Sequence, residues 1–111
     1  MIAIDQEGGR VARLRKGFTP IPSMRALGAT GDEKLAHAIG RLLAEEMKAV
    51  NMHMDFAPVM DVDSNPANPV IGDRSFGSDP ALVAKMGVAL LRGSPAERMR
   101  GAKPCRTQEC G

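Results

Sequence analysis

Met52-His53-Met54-Asp55-Phe56-Ala57-Pro58-Val59-Met60-Asp61 is the stretch on which the fold turns. Met54 to Met60 reads as a buried strand, with Pro58 the residue that disturbs it, because proline donates no ladder hydrogen bond. Upstream, Leu35, Ile39, Leu42, Leu43, Met47 and Val50 recur at three- and four-residue intervals, a spacing that predicts a helix over 32–50. Thr30 or Asp32 can cap its start, Asp32 and Glu33 suit its positive end, and Asn51 is a natural stop. Downstream, residues 61–78 are rich in Asp, Asn, Pro and Gly and read as a long loop, a kind that in compact domains usually serves a function or is disordered. Asp79-Pro80 then opens a second helix, whose apolar face is Leu82, Met86, Ala89 and Leu90 and whose end is Gly93.

The beginning of the chain supplies the other half of the pattern. Met1 to Ile4 is a short apolar run ending in Asp5, as at the end of a buried strand. Gly8-Gly9 and Thr19-Pro20-Ile21-Pro22 are irregular stretches, and Val11 and Leu14 between them allow at most one helical turn. The order strand, loop, helix, strand, long loop, helix predicts an α/β fold with parallel strands joined by helical crossovers. About two βα units are present. A closed (β/α)8 barrel takes about 250 residues, so 111 residues of this pattern form a partial barrel.

Composition narrows the classes of partner. No apolar run approaches the roughly 18 residues of a membrane span, and Met1 to Arg10 does not read as a signal peptide, so a cytoplasmic location is expected. The net charge of +2 argues for neither nucleic acid nor an anionic membrane. Residues 1–93 hold 11 basic and 11 acidic side chains, and the excess lies wholly in residues 94–111. Cys105 and Cys110 lie there too, and without a second Cys pair or a His they read as incidental thiols.

In parallel α/β architectures ligands sit on the loops after the strands. Two polar clusters fall at such places: residues 5–13, and residues 61–77 with Asn65, Asn68, Asp73, Arg74 and Ser75. Their carboxylates, amides and guanidinium groups suit a ligand dense in hydroxyls. Arg10 reads equally well as a salt bridge holding two loops together. Gly8-Gly9 fits no nucleotide-binding pattern, and His37 and His53 read as structural or exposed. Glycosidases work with two carboxyl groups across the scissile bond, and Asp5 and Asp61 are the pair that strand ends would offer.

Three motifs then identify a family. Residues 4–13, Ile-Asp-Gln-Glu-Gly-Gly-Arg-Val-Ala-Arg, resemble the D-Q-E-G-G-R-V-x-R signature of bacterial family 3 β-N-acetylhexosaminidases. Residues 56–62 resemble their F-A-P-V-x-D-V strand end, and residues 65–77 are similar to their N-P-x-N-P-V-I-G-x-R-S-F loop. The resemblance implies a TIM-type barrel and hydrolysis of terminal β-linked N-acetylglucosamine, as in cell-wall muropeptides and chitin-derived oligosaccharides. It implies retention of configuration through an Asp nucleophile, a His–Asp acid and base on a mobile loop, and no metal or other cofactor. Asp5, Arg13 and Arg74 match positions that hold the sugar in the minus-one subsite. There Asp5 would accept from hydroxyls and the two arginines would donate, while Asp61 is left as loop support. The partner so implied is a small carbohydrate, an N-acetylglucosaminide, with neither nucleic acid nor membrane.

The resemblance covers residues 1–93. Past Gly93 the family continues into K-H-F-P-G-H-G, the D-x-H loop and, on a later strand, the nucleophile, and residues 94–111 carry none of these. The sequence therefore predicts a fragment without catalytic residues, inactive alone, with a disordered or frameshifted tail over 94–111. It also predicts that the barrel's first strand is lacking, so that missing barrel segments are needed for a complete fold. Two readings from other classes stand beside it: a non-catalytic sugar-binding module, with only Phe18, Phe56 and Phe76 to stack on a ring, and a fragment that completes a barrel with another polypeptide. A family 3 β-glucosidase relative is the alternative within the class.

Overall fold

The computed structural model describes residues 3–52, 54–55, 57–65, 67 and 69–94. Two short strands, β1 (Ala3–Ile4) and β4 (Met54–Asp55), pair in parallel with Ala3 opposite Met54 and Ile4 opposite Asp55. Between them run a hairpin, β2 (Gln6–Gly8) and β3 (Val11–Ala12), and two helices, α1 (Met24–Thr30) and α2 (Glu33–Ala49). After β4 come the long loop, a single 3-10 turn at Gly72–Arg74 and the helix α3 (Pro80–Gly93). This is the expected α/β arrangement of two βα units, β1 leading to α2 and β4 to α3.

The caps and periods read from the sequence are present. Asp32 caps α2 by accepting from Lys34 N at 3.0 Å and Leu35 N at 3.2 Å, and Asn51 takes a left-handed φ of 60° just past its end. Asp79 caps α3 by accepting from Ala81 N at 3.0 Å, with Pro80 in the first turn.

The face that α2 buries keeps the centre of the predicted stripe, Ile39, Leu43 and Met47, and is rotated toward small residues. Leu35 and Val50 are exposed, while Ala36, Ile39, Gly40, Leu43, Ala44 and Met47 are buried. The cause is close helix packing. A Cβ on Gly40 would lie 2.0 Å from the Leu90 carbonyl oxygen, and one on Gly93 would lie 2.0 Å from that of His37. Each helix gives up side-chain volume where it meets the other, so the contact centres on small residues. Gly93 is the last residue of α3, as expected, and also a contact point. Gly28 of α1 meets Phe76 in the same way, its Cβ position 2.0 Å from the Phe76 carbonyl oxygen.

α2 joins two apolar clusters. Its first half packs with Met24 and Leu27 of α1, Phe76 of the loop, and Val83, Met86 and Leu90 of α3. Its second half, through Ala44 and Met47, packs against Ile4, Leu14, Phe18 and Met52.

Three expectations change. The strand predicted over Met54 to Met60 ends at Asp55. Beyond it Pro58, after a cis peptide bond, has no N–H for a ladder, and Phe56 lies outside the described residues. Val11 belongs to a strand of the hairpin and not to a helical turn, because the tight bend at Gly8-Gly9 turns the chain back on itself. α1 had no sequence counterpart, being seven residues long, less than the length at which periodicity becomes readable.

Candidate functional site

The two polar clusters are brought together by ion pairs, Glu7 with Arg74 and Arg10 with Asp73. Gln6, 3% exposed, fixes the hairpin from inside. Its backbone N–H donates to Asp55 Oδ1 at 2.8 Å, which ties the hairpin to the end of β4. Its side-chain oxygen accepts from Arg13 N at 2.8 Å and Leu14 N at 3.0 Å, and its amide donates to Leu14 O at 2.8 Å. One buried amide thus satisfies both chain directions where the hairpin ends, as a buried polar side chain must.

Next to it, Glu7 is 2% exposed and meets Arg74 from the opposite loop. Arg74 donates through Nε to Glu7 Oε2 at 3.0 Å and through Nη2 to Oε1 at 3.1 Å. This is the bidentate geometry in which a guanidinium and a carboxylate bind most strongly. A third N–H, on Nη1, goes to Val70 O at 3.0 Å. The Glu7 hydrogen bond raises the Arg74 pKa further above its already high ordinary value; burial opposes this, and the charges of Glu7, Asp5 and Asp61 add to it. Arg74 is therefore a fixed cation at every pH at which a protein folds.

The loop over 61–77 is strapped at several further points. Arg10 pairs through Nε with Asp73 Oδ1 at 3.0 Å and donates to the carbonyls of Pro69, Val70 and Ile71 at 3.0–3.1 Å. Arg25 of α1 pairs with buried Asp63. Ser75, fully buried, donates to Asp61 O at 2.6 Å and accepts from Gly77 N at 3.2 Å. Such a loop is held by charge-assisted bonds in place of a regular ladder.

Of the three residues expected to hold a ligand, Asp5 follows β1 directly, and its negative charge is among those that raise the Arg74 pKa. Asp61 acts on it too, while its main-chain oxygen supports the loop through Ser75. Arg13 leaves the hairpin exposed, its backbone held by Gln6. Arg10 takes the salt-bridge role. Asn65 caps a local turn by accepting from Ala67 N at 3.1 Å. His37 is exposed on α2. Asn68, His53, Phe56, both cysteines and residues 95–111 lie outside the described residues.

Sequence reasoning missed Glu7 and Gln6. Their signal was present, since they lie in the motif itself, but their partners are distant in sequence: Arg74 is 67 residues from Glu7, and Asp55 is 49 residues from Gln6. A concavity of about 620 Å³ between α2 and α3 is lined by Glu33, Lys34, His37, Lys85, Val88 and Arg92 among others. It is an open groove on the helix faces, away from the strand ends, and the convergent polar groups are not there. Among the described residues no three His, Cys, Asp or Glu side chains group as metal ligands, and no helix is long and apolar enough to cross a membrane.

Comparison with known proteins places this geometry. The sequence model described as the glycosyl hydrolase family 3 N-terminal domain matches residues 1–103. The match runs past Gly93 into the segment where no family motif is legible. A β-hexosaminidase of Nitrosomonas eutropha is 46% identical over 99 residues, which cover 84% of this chain and 28% of that protein. The chain thus spans under a third of the length of this curated relative. Among solved structures, a glycoside hydrolase family 3 β-N-acetylglucosaminidase from Paenibacillus sp. FPU-7 superposes with a TM-score of 0.81 at 47% identity, covering 84% of this chain and 18% of that one. NagZ from Neisseria gonorrhoeae, in complex with N-trifluoroacetyl-D-glucosamine, gives 0.79 at 42% identity, covering 84% of this chain and 30% of that one.

Proposed function

The chain belongs to the glycosyl hydrolase family 3 N-terminal domain, and on that premise we propose that it forms the sugar-holding part of a retaining β-N-acetylhexosaminidase barrel. The ligand is a terminal β-linked N-acetylglucosamine, and the residues that hold it are Asp5, Arg13 and Arg74. The observation that carries this reading is the Arg74 guanidinium, fixed by Glu7 and set among the charges of Asp5 and Asp61. Immobilised donors beside carboxylate acceptors match a neutral ring covered with hydroxyls. Asp5 accepts from ring hydroxyls, and the remaining N–H groups of Arg74 donate to the sugar. Arg13 is exposed at the hairpin exit, and the resemblance assigns it a donor role toward the sugar.

A retaining glycosidase needs a nucleophile and an acid–base group flanking the bond. The resemblance places both in motifs beyond Gly93 that residues 94–111 do not carry, so Asp5 and Asp61 are assigned no catalytic step. Binding geometry without those groups supplies little rate enhancement. A sugar-binding module that works by ring stacking is disfavoured by the described aromatics. Phe76 is 1% exposed in the core and Phe18 packs against Met47 and its neighbours.

The test has two arms on the 111-residue chain. Calorimetric titration with N-acetylglucosamine is expected to give saturable binding, and a chromogenic N-acetyl-β-glucosaminide is expected to remain uncleaved. Absence of binding sinks the sugar-holding reading, and turnover sinks the assignment of the chemistry to other segments.

A further inference from the structure

Resting on that reading, we infer that Glu7 is a positioning residue: it orients the Arg74 guanidinium so that one defined edge of it meets the sugar. The side chain of Glu7 is 1% exposed, whereas that of Arg74 is 22% exposed. Glu7 therefore does not touch the ligand; Arg74 can. A carboxylate so deeply buried is costly unless it is paired and hydrogen-bonded, and Arg74 supplies two charge-assisted bonds.

Donor counting gives the consequence. A guanidinium has five N–H groups and no acceptor. Glu7 takes one on Nε and one on Nη2, and the Val70 carbonyl takes one on Nη1. Among the described residues two remain without an acceptor, one on each terminal nitrogen, in a plane set by the Glu7 carboxylate. The third anchor is itself fixed, because Arg10 also donates to Val70 O at 3.1 Å while paired to Asp73. Neither Lys at position 74 nor an amide at position 7 reproduces this: a lysine is a point charge without a planar fork, and Gln offers one acceptor where two are needed.

The experiment uses the 111-residue chain and its Glu7→Gln, Glu7→Asp and Arg74→Lys variants, each checked for helix content by circular dichroism. Two readouts are taken: the Arg74 Nε–H nuclear magnetic resonance signal, and the affinity for N-acetylglucosamine. In the wild type the Nε–H is expected to be resolved and slow to exchange. Glu7→Gln is expected to abolish that protection and weaken sugar binding at least tenfold with helix content unchanged. Glu7→Asp, which keeps the charge, restores part of both, and Arg74→Lys weakens binding as much as Glu7→Gln. A Glu7→Gln chain that unfolds shifts the decision to Glu7→Asp, where loss of Nε–H protection without loss of affinity overturns the positioning role. A Glu7→Gln chain that is folded and binds as the wild type does overturns it directly. A wild type that shows the protected Nε–H yet binds no sugar overturns the sugar-holding reading itself, an outcome distinct from the other two.

Discussion

Gly40→Ala tests one of the three closest glycine contacts among the described residues. The added Cβ would lie 2.0 Å from the Leu90 carbonyl oxygen and 2.9 Å from its carbon. A carbon and a carbonyl oxygen in contact sit about 3.3–3.6 Å apart, so roughly 1.4 Å must be found between two helix backbones. Neither backbone can swing away as a side chain would. Separation on the scale of 0.5–1 Å already forfeits about a quarter to a half of each dispersion contact. The contacts at risk are those of Ala36, Ile39 and Leu43 with Val83, Met86 and Leu90. Overpacking costs about 1–3 kcal/mol and occasionally more, and alanine returns about 1 kcal/mol of helix propensity over glycine. A backbone clash of this depth belongs at the upper end, which leaves a net loss of about 2 kcal/mol or more. Gly87→Ala is the control, since its Cβ would meet the end of the Met60 side chain, Sδ at 2.2 Å and Cε at 2.4 Å, which a rotamer change can clear. Urea unfolding followed by helical circular dichroism should show the Gly40→Ala midpoint well below wild type and Gly87→Ala near or slightly above it. Equal midpoints for the two variants would refute the close packing of α2 on α3.

Two further substitutions probe other supports. Asp32→Ala removes the cap acceptor of Lys34 N and Leu35 N and should cost about 1 kcal/mol, read as a lower urea midpoint that Asp32→Asn largely restores. Arg25→Met leaves Asp63, 7% exposed, without its ion-pair partner, which should cost about 1–3 kcal/mol and speed proteolysis in the loop over 61–77; an unchanged cleavage rate would mean that this pair does not hold the loop.

Legibility in the sequence followed the range of the interaction. α2 and α3 could be read because their signals are local: Asp32 and Asp79 cap within three residues, and apolar periodicity runs along one segment. The stripe was legible in its centre, Ile39, Leu43 and Met47, but its rotation toward small residues was not, since that depends on Gly40 meeting Leu90 and Gly93 meeting His37, contacts between segments about fifty residues apart. The strand over Met54 to Met60 was overextended because apolar composition does not report where ladder partners stop. At the site, the motifs located the loops and brought Asp5 and Arg74 to notice. They did not reveal the Glu7–Arg74 pair, because Glu7 and Arg74 become partners only through the fold. Arg10 shows the same limit, having been equally readable as a ligand contact or a strap until Asp73 and three carbonyls were found around it.

The central claim is that this chain holds an N-acetylglucosamine through Asp5 and Arg74 without carrying the chemistry. Paired calorimetric titrations of the wild-type and Asp5→Asn chains with N-acetylglucosamine test it most directly. Saturable binding to the wild type that falls at least tenfold in Asp5→Asn is the predicted result. Equal heats from the two chains, or none from the wild type, would contradict it.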